Sequence, residues 1–271
     1  MKSILLTKEQ QTYYVLRFAS AMCFIGHGAF GIITKPIWCN YFAVFGIDHA
    51  SAYKLMPFAG SADILFGLII LFYPIRAVFM WLVAWGIITA ALRPLSGEPF
   101  AEFIERAGNF GAPLALLALT ATRSNWRPVL QVTDPPSGVS EVNIDRVRIT
   151  LRIVCFLLLA GHGWLNLVDR QGLIAKYTSL GFHDPQQTAF FAGIAEICMA
   201  CLILVKPVRP IILLILVWKM STELFYPHYE AWEWIERGGS YGSLLALFYI
   251  LAPVKSLRHS QQFHPVHSSE A

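Results

Sequence analysis

Charged residues are scarce in this chain. Asp, Glu, Lys and Arg make up 14% of its 271 residues, against about 25% in a soluble globular protein. Hydrophobic residues make up 56% and the mean hydropathy is +0.53. This composition excludes an ordinary soluble domain. The net charge of +4 reflects orientation in a membrane, so no nucleic-acid partner is expected.

Cysteine and the common catalytic motifs are also scarce or missing. Five cysteines without a loop pattern exclude a disulfide scaffold. Cys198-x-x-Cys201 indicates packing thiols in mid-helix, with a redox pair as the alternative. The sequence shows no nucleophile motif, phosphate loop or complete metal-ligand set, so it predicts no metal site and leaves enzymatic activity open. No cleavage site follows the first apolar run, so no removable signal peptide is expected.

Long apolar runs are abundant. Most cover roughly 17 to 21 residues, enough for an α-helix to cross a bilayer. They lie near 13–33, 57–73, 76–93, 149–167, 188–205, 209–226 and 239–253, with a shorter run near 108–122 that matches the last of these. The sequence therefore predicts an all-α, polytopic integral membrane protein with eight transmembrane helices.

The runs fall into two sets because the chain repeats itself after about 135 residues, a period too long for a solenoid. The shared strings are Gly-His-Gly, Phe-Ala-Gly followed by an acid, and Glu-Arg-x-Gly. We interpret them as a tandem duplication of a four-helix unit, with both copies inserted in the same direction. The predicted parts are repeat 1–122, cytoplasmic linker 123–148, repeat 149–254 and disordered tail 255–271.

Basic residues indicate the orientation. More Lys and Arg lie at the end of the predicted bundle that carries the termini, so both termini are predicted to be cytoplasmic, in a plasma or inner membrane. The opposite connections, 35–46 and 98–106 with counterparts 171–181 and 230–237, are aromatic and too short to span. They predict short interfacial helices in contact with membrane lipids, with simple anchoring as the alternative function.

Two ionisable residues in each repeat lie at one depth. His27 is about six residues from the outer end of its span and Asp63 about six residues into the next, roughly 9 Å deep. His162 and Glu196 match them in the second repeat. Ionisable groups inside a membrane usually face a partner or a cavity. All four are candidate proton-handling, catalytic residues, with a structural tie between helices as the alternative.

The Glu-Arg strings supply further candidates. Neighbouring Glu and Arg point to different helix faces, so one is expected to pair locally while the other reaches inward or to a lipid phosphate. The second repeat also has Lys219 and Glu223 where the first has Gly86 and Ala90, which suggests that the second is the more active copy. The candidate ligand-binding residues are Glu105, Arg106, Glu223, Glu236 and Arg237.

The four-helix unit resembles the DoxX-like group of small membrane proteins. The resemblance rests on an apolar first helix, a Phe-Ala-Gly-x-x-acid second helix and a Glu-Arg-x-Gly-Asn-Phe string. Members are similar to the membrane subunit of thiosulfate:quinone oxidoreductases and to proteins of redox homeostasis. The resemblance implies a quinone-linked or redox-supporting role.

The combined interpretation is a small-molecule site in the extracytoplasmic half of the membrane, for a quinone, serving an extracytoplasmic redox protein. A proton-coupled transporter or lipid-binding protein is the first alternative. The second is a haem held between His27 and His162, for which the glycines beside each histidine would leave room. The same glycines also suit close helix packing.

Overall fold

The computed structural model describes residues 6–121, 127–224 and 231–253. Within them every long element is an α-helix, and only a 3₁₀ turn at Arg127–Leu130 and an isolated bridge between Ile75 and Val132 depart from this. The all-α prediction is confirmed for these residues. The predicted tail 255–271 lies outside them.

Twelve α-helices are present in the described parts of the chain. The N-terminal half holds α1 to α6 and the C-terminal half holds α7 to α12. In chain order they are Lys8–Ile32, Trp38–Ala43, His49–Phe72, Arg76–Leu95, Phe100–Glu105, Ala107–Leu119, Glu141–Leu167, Gln171–Ser179, Pro185–Val205, Arg209–Leu224, Ala231–Glu236 and Gly238–Ile250.

Four of these helices, α1, α3, α4 and α9, are long and apolar enough to cross a membrane. Helix α7 adds a fifth span if it is counted with α8, which follows it at a bend of 79°. Helices α6 and α12 have 13 residues each, about 20 Å, which is shorter than a hydrocarbon core of about 30 Å. Within the described residues the structure thus gives four to five clear membrane spans, and the eight predicted spans are not confirmed.

Side-chain caps set where several helices begin. Asp48 accepts a hydrogen bond from the Ser51 amide at the start of α3, and Asp184 does the same for Gln187 at the start of α9. Ser140 caps α7, so this helix begins inside the segment 123–148 that the sequence assigned to the linker. The apolar run alone did not reveal the polar first turns of α7.

Small residues let the first helix of each half touch the next long helix. A methyl group on Gly28 of α1 would lie 2.5 Å from the carbonyl oxygen of Gly60 of α3. In the C-terminal half, Gly163 of α7 meets Gly193 of α9 in the same way, at 2.8 Å. These backbones therefore approach so closely that only glycine fits.

The last helices of each half pack against the first helix of the other half. Helices α11 and α12 lie on α1, and α5 and α6 lie on α7. A side chain on Gly26 would meet the backbone of Glu236, and one on Gly161 would meet the backbone of Glu105. The glycines beside the two histidines thus make room for helices, and the two halves share one large apolar core.

The two cysteines Cys198 and Cys201 differ from the expectation. Both were interpreted as packing thiols, but both are exposed on the surface of α9. Periodicity did not show which face of this almost wholly apolar helix is buried. In a membrane these thiols would face lipid.

Candidate functional site

The two predicted histidine and acid pairs form in the structure. His27 Nδ1 lies 2.7 Å from Asp63 Oδ2, and His162 Nδ1 lies 2.5 Å from Glu196 Oε2. The prediction from helix depth that these residues meet is confirmed. Each carboxylate can accept the Nδ1 proton, which leaves the Nε2 atom of the imidazole to act elsewhere.

A cavity of about 130 Å³ lies beside His27, in the N-terminal half. Its walls come from α1 to α4, from the start of α6 and from Glu236 of the other half. The aromatic members are Trp38, Tyr41, Phe42, Phe45 and Trp85, and the polar ones besides His27 are Thr89, Arg93, Arg106, Asn109 and Glu236. An apolar cavity of roughly this size can hold a single aromatic ring.

Helix α2 supplies much of the aromatic wall. The Trp38 ring lies 4.7 Å from the His27 ring, centroid to centroid. The Tyr41 hydroxyl donates a hydrogen bond of 2.7 Å to Glu98. Burial raises the pKa of Tyr41 above its ordinary value, so this hydroxyl keeps its proton and its place in the wall.

Trp85 has a buried indole N–H without a hydrogen-bond partner among the described residues. Its counterpart Trp218 points the same group at Glu196 Oε1, 3.5 Å away. Asp63 is one methylene shorter than Glu196, and no hydrogen bond joins it to Trp85 in the described structure. A buried donor of this kind normally finds an acceptor. Because Trp85 belongs to the cavity wall, its enclosed N–H is a candidate donor for a ligand that displaces the side chains around it.

The corresponding region of the C-terminal half is charged. Lys219 and Glu223, at the positions of Gly86 and Ala90, are buried and pair at 3.7 Å. They lie four residues apart on one face of α10 and neutralise each other. Asn166 donates to Glu196 over 3.3 Å and accepts from Tyr177 over 2.9 Å. The described cavity therefore lies in the half opposite to the one that the extra charges suggested.

The two Glu-Arg strings meet between the halves. Arg237 donates to Glu105 at 2.5 Å and also pairs with Glu223 at 3.0 Å. Arg106 pairs with its neighbour Glu105 at 2.9 Å. The expectation that adjacent Glu and Arg point apart is confirmed for the second string, where Arg237 pairs with Glu105 and Glu223 and Glu236 lines the cavity. It was wrong for Glu105 and Arg106, because α5 ends at Glu105 and the backbone turns before α6 begins.

The ion pairs continue along one end of the bundle. Arg106 also binds Glu102 at 2.6 Å, and Arg170, from the loop between α7 and α8, binds Glu102 at 3.0 Å and Glu98 at 2.9 Å. Arg93 reaches Glu98 at 3.5 Å. These charges satisfy one another and tie the loops of both halves together.

The structure sorts the nine predicted site residues into three places. At the cavity are His27, Asp63 (through its bond to His27), Arg106 and Glu236; in the charged C-terminal counterpart are His162 and Glu196; in the ion-pair network are Glu105, Glu223 and Arg237. The sequence reasoning did not assign the aromatic wall to the site. The sequence feature that could have revealed this wall is the aromatic segment 35–46, which was interpreted only as an interfacial helix.

The protein-family comparison gives one decisive result. Residues 147–226 match the DoxX family model. The match confirms the DoxX-like resemblance over α7 to α10, which carry His162, Glu196 and Glu223. No significant match was found among the curated proteins or among the solved structures. The match does not include the N-terminal half, whose DoxX-like character stays a prediction from the strings that it shares with the C-terminal half.

Proposed function

We propose that this DoxX-like membrane protein binds the ring of a quinone in the cavity beside His27 and thereby supports a redox reaction. The observation that carries the proposal is the combination of an aromatic cavity of single-ring size with the His27–Asp63 pair. A quinone needs an apolar slot for its ring and N–H groups that donate hydrogen bonds to its carbonyl oxygens. It also needs a group that exchanges protons when the ring is reduced or oxidised.

Each requirement has a candidate in the described residues. Trp38 and Phe42 supply ring faces, and the Trp85 indole N–H supplies a donor for a carbonyl oxygen. His27, held by Asp63, is the proton-exchanging group, since an imidazole fixed by a carboxylate can give and take a proton at its other nitrogen. His162 and Glu196, buried and closed in, would then have a structural role.

The proposal includes the membrane arrangement inferred from the sequence. The chain would be a tandem duplication with eight membrane segments and cytoplasmic termini, in a plasma or inner membrane and surrounded by lipid. The paired helix contacts of the two halves support the duplication. The cavity would lie in the extracytoplasmic half of the bilayer, within reach of an extracytoplasmic redox protein.

Haem does not fit the described site. A porphyrin has four pyrrole rings, whereas the cavity has room for about one ring. The Nε2 atom of His162 is enclosed by the protein, so it cannot serve as an axial ligand together with His27. The glycines that suggested space for a flat cofactor are filled by neighbouring helices.

Binding of a short-chain benzoquinone to purified protein in lipid nanodiscs tests the proposal. Equilibrium dialysis should show saturable binding that Trp85→Phe weakens by about 5- to 10-fold, the worth of one hydrogen bond. Trp218→Phe is the matched control and should bind as the native protein does, because Trp218 already has Glu196 as its partner.

Two outcomes would contradict the proposal. One is equal weakening by Trp85→Phe and Trp218→Phe, which would indicate a general effect on folding. The other is proton-linked solute flux in proteoliposomes without any quinone binding, which would favour a transporter that uses the same residues.

A further inference from the structure

We infer that the cavity selects the reduced form of its ligand, a hydroquinone that donates hydrogen bonds, over the oxidised quinone. The inference rests on the proposed function and adds the redox state that the site prefers. It depends on Glu236, a carboxylate that the C-terminal half contributes to the cavity of the N-terminal half.

Glu236 is the uncommitted acceptor at this site. It lines the cavity. Among the described residues, no Lys, Arg or His nitrogen lies within 4.0 Å of its carboxylate oxygens, the limit for an ion pair. Its strongest charge interactions are with His27 and Arg106. Its counterpart Glu105 is held by both Arg106 and Arg237. Glu236 is therefore available to accept a hydrogen bond from a ligand, whereas Glu105 is already engaged by two arginines.

The neighbouring arginines are engaged elsewhere. Arg237 is directed to Glu105 and Glu223, and Glu223 stands where the N-terminal half has Ala90. Arg106, which lines the cavity, is bound by Glu102 and Glu105. The extra acid of the C-terminal half thus helps to keep Arg237 away from Glu236, and the carboxylate remains available to the cavity.

A hydroxyl group matches this set of partners better than a carbonyl does. It can donate its proton to Glu236, and its oxygen can still accept a hydrogen bond from a donor in the cavity wall. A carbonyl oxygen can only accept, so against Glu236 it would bring two acceptors together and leave a half-buried carboxylate without a donor. Hydrogen bonds to a charged group are among the stronger ones, so the preference should be large.

Three small molecules of nearly the same shape test the inference: a decyl-substituted benzohydroquinone kept reduced under argon, the matching benzoquinone, and the dimethyl ether of the hydroquinone. Affinities are measured with the full-length protein in nanodiscs. The hydroquinone should bind at least about 10-fold more tightly than either of the others, since only it has O–H donors.

Two variants locate the preference. Glu236→Gln should reduce it to about 3-fold or less without weakening quinone binding, since the amide can donate to a carbonyl. Glu233→Gln, on the same helix but paired with Lys35 at 3.8 Å, should keep the native preference.

Each result decides between the claims. Equal or tighter binding of the quinone or the dimethyl ether by the native protein overturns the inference and leaves the proposed function standing. Preference that survives Glu236→Gln also overturns it. Binding of none of the three molecules overturns the proposed function itself. The comparison of the native protein with the dimethyl ether needs no variant, so a folding defect in Glu236→Gln does not weaken the test.

Discussion

At the scale of single residues, the two halves differ by small substitutions with large consequences. Asp63 stands where the other half has Glu196, and the shorter side chain leaves the Trp85 indole N–H without a described partner. Gly86 and Ala90 stand where the other half has Lys219 and Glu223, which are buried and paired. The N-terminal half thus has space and an available donor, whereas its counterpart has internal contacts.

Glu105 should be important for stability, because it is the acceptor that both Arg106 and Arg237 share. Glu105→Ala would leave both cations with reduced compensation in a largely buried position, at a cost of about 3 kcal/mol. The thermal unfolding midpoint in detergent, followed by fluorescence, should fall clearly. Asp145→Ala removes an exposed pair with Arg148 and should cost at most about 0.5 kcal/mol. Equal effects would show that the Glu105 contacts are not important.

The sequence was informative about those site residues whose partners follow from helix length. The apolar runs placed His27 near the end of one span and Asp63 near the start of the next, so counting residues along them predicted their contact, although α3 itself begins earlier, at His49. The aromatic wall could not be predicted in this way. Its position depends on how α2 folds back beside α3 and α4, which is a matter of tertiary packing.

At the scale of helices, the Gly-His-Gly strings serve to bring helices of different halves together. Gly26 faces the backbone of Glu236 on α11, and Gly161 faces that of Glu105 on α5. His27 is thereby placed beside the end of α11, and His162 beside the end of α5. The sequence left both readings of these glycines open, and the structure shows the packing role.

Gly26→Ala should therefore separate α1 from α11 and destabilise the fold by about 1–3 kcal/mol, the usual range for overpacking. It should also weaken hydroquinone binding, because Glu236 moves with α11. Gly172→Ala, in α8 with nothing within 4 Å of the added carbon, is the control and should be neutral or slightly stabilising. Both effects are read from thermal unfolding and dialysis of the same preparations. A stable, fully binding Gly26→Ala protein would refute the packing role.

The sequence placed several helix starts too late, because the apolar runs near 57, 149 and 188 begin after the capped starts of α3, α7 and α9. The start of α7 at Glu141 was missed because its first turns are polar. The short α6 and α12 were assigned as spans because their apolar runs were read together with their flanks. Neighbouring helices bury α6 and α12, which the sequence does not report. This burial explains why these two helices can be short and apolar.

At the scale of the whole molecule, the halves are interlocked, since α5 and α6 pack on α7 while α11 and α12 pack on α1. The repeat in the sequence suggested two folding units lying side by side. The exchange of helices could not be predicted, because the apolar pattern of a helix does not specify which copy of an identical surface it meets.

Two fragments cut between Ser137 and Gly138 should therefore assemble when they are expressed together. We expect fragments 1–137 and 138–271 to co-purify and to bind the quinone ring, because the large apolar core is shared. The first fragment alone should not bind it, because α11 and α12, which pack on α1 beside the cavity, are missing. Fragments that purify separately, or a first fragment with native affinity, would contradict the interlocked arrangement.

The interlocking also bears on ancestry. A chain carrying only one four-helix unit would bury its Glu-Arg helix against a second copy, and a two-fold symmetric dimer would give both of its cavities identical walls. On the proposed duplication, fusing the two copies removed that equality. One copy could then give up its cavity to a buried lysine and glutamate, and in exchange orient an arginine and lend a carboxylate to its neighbour.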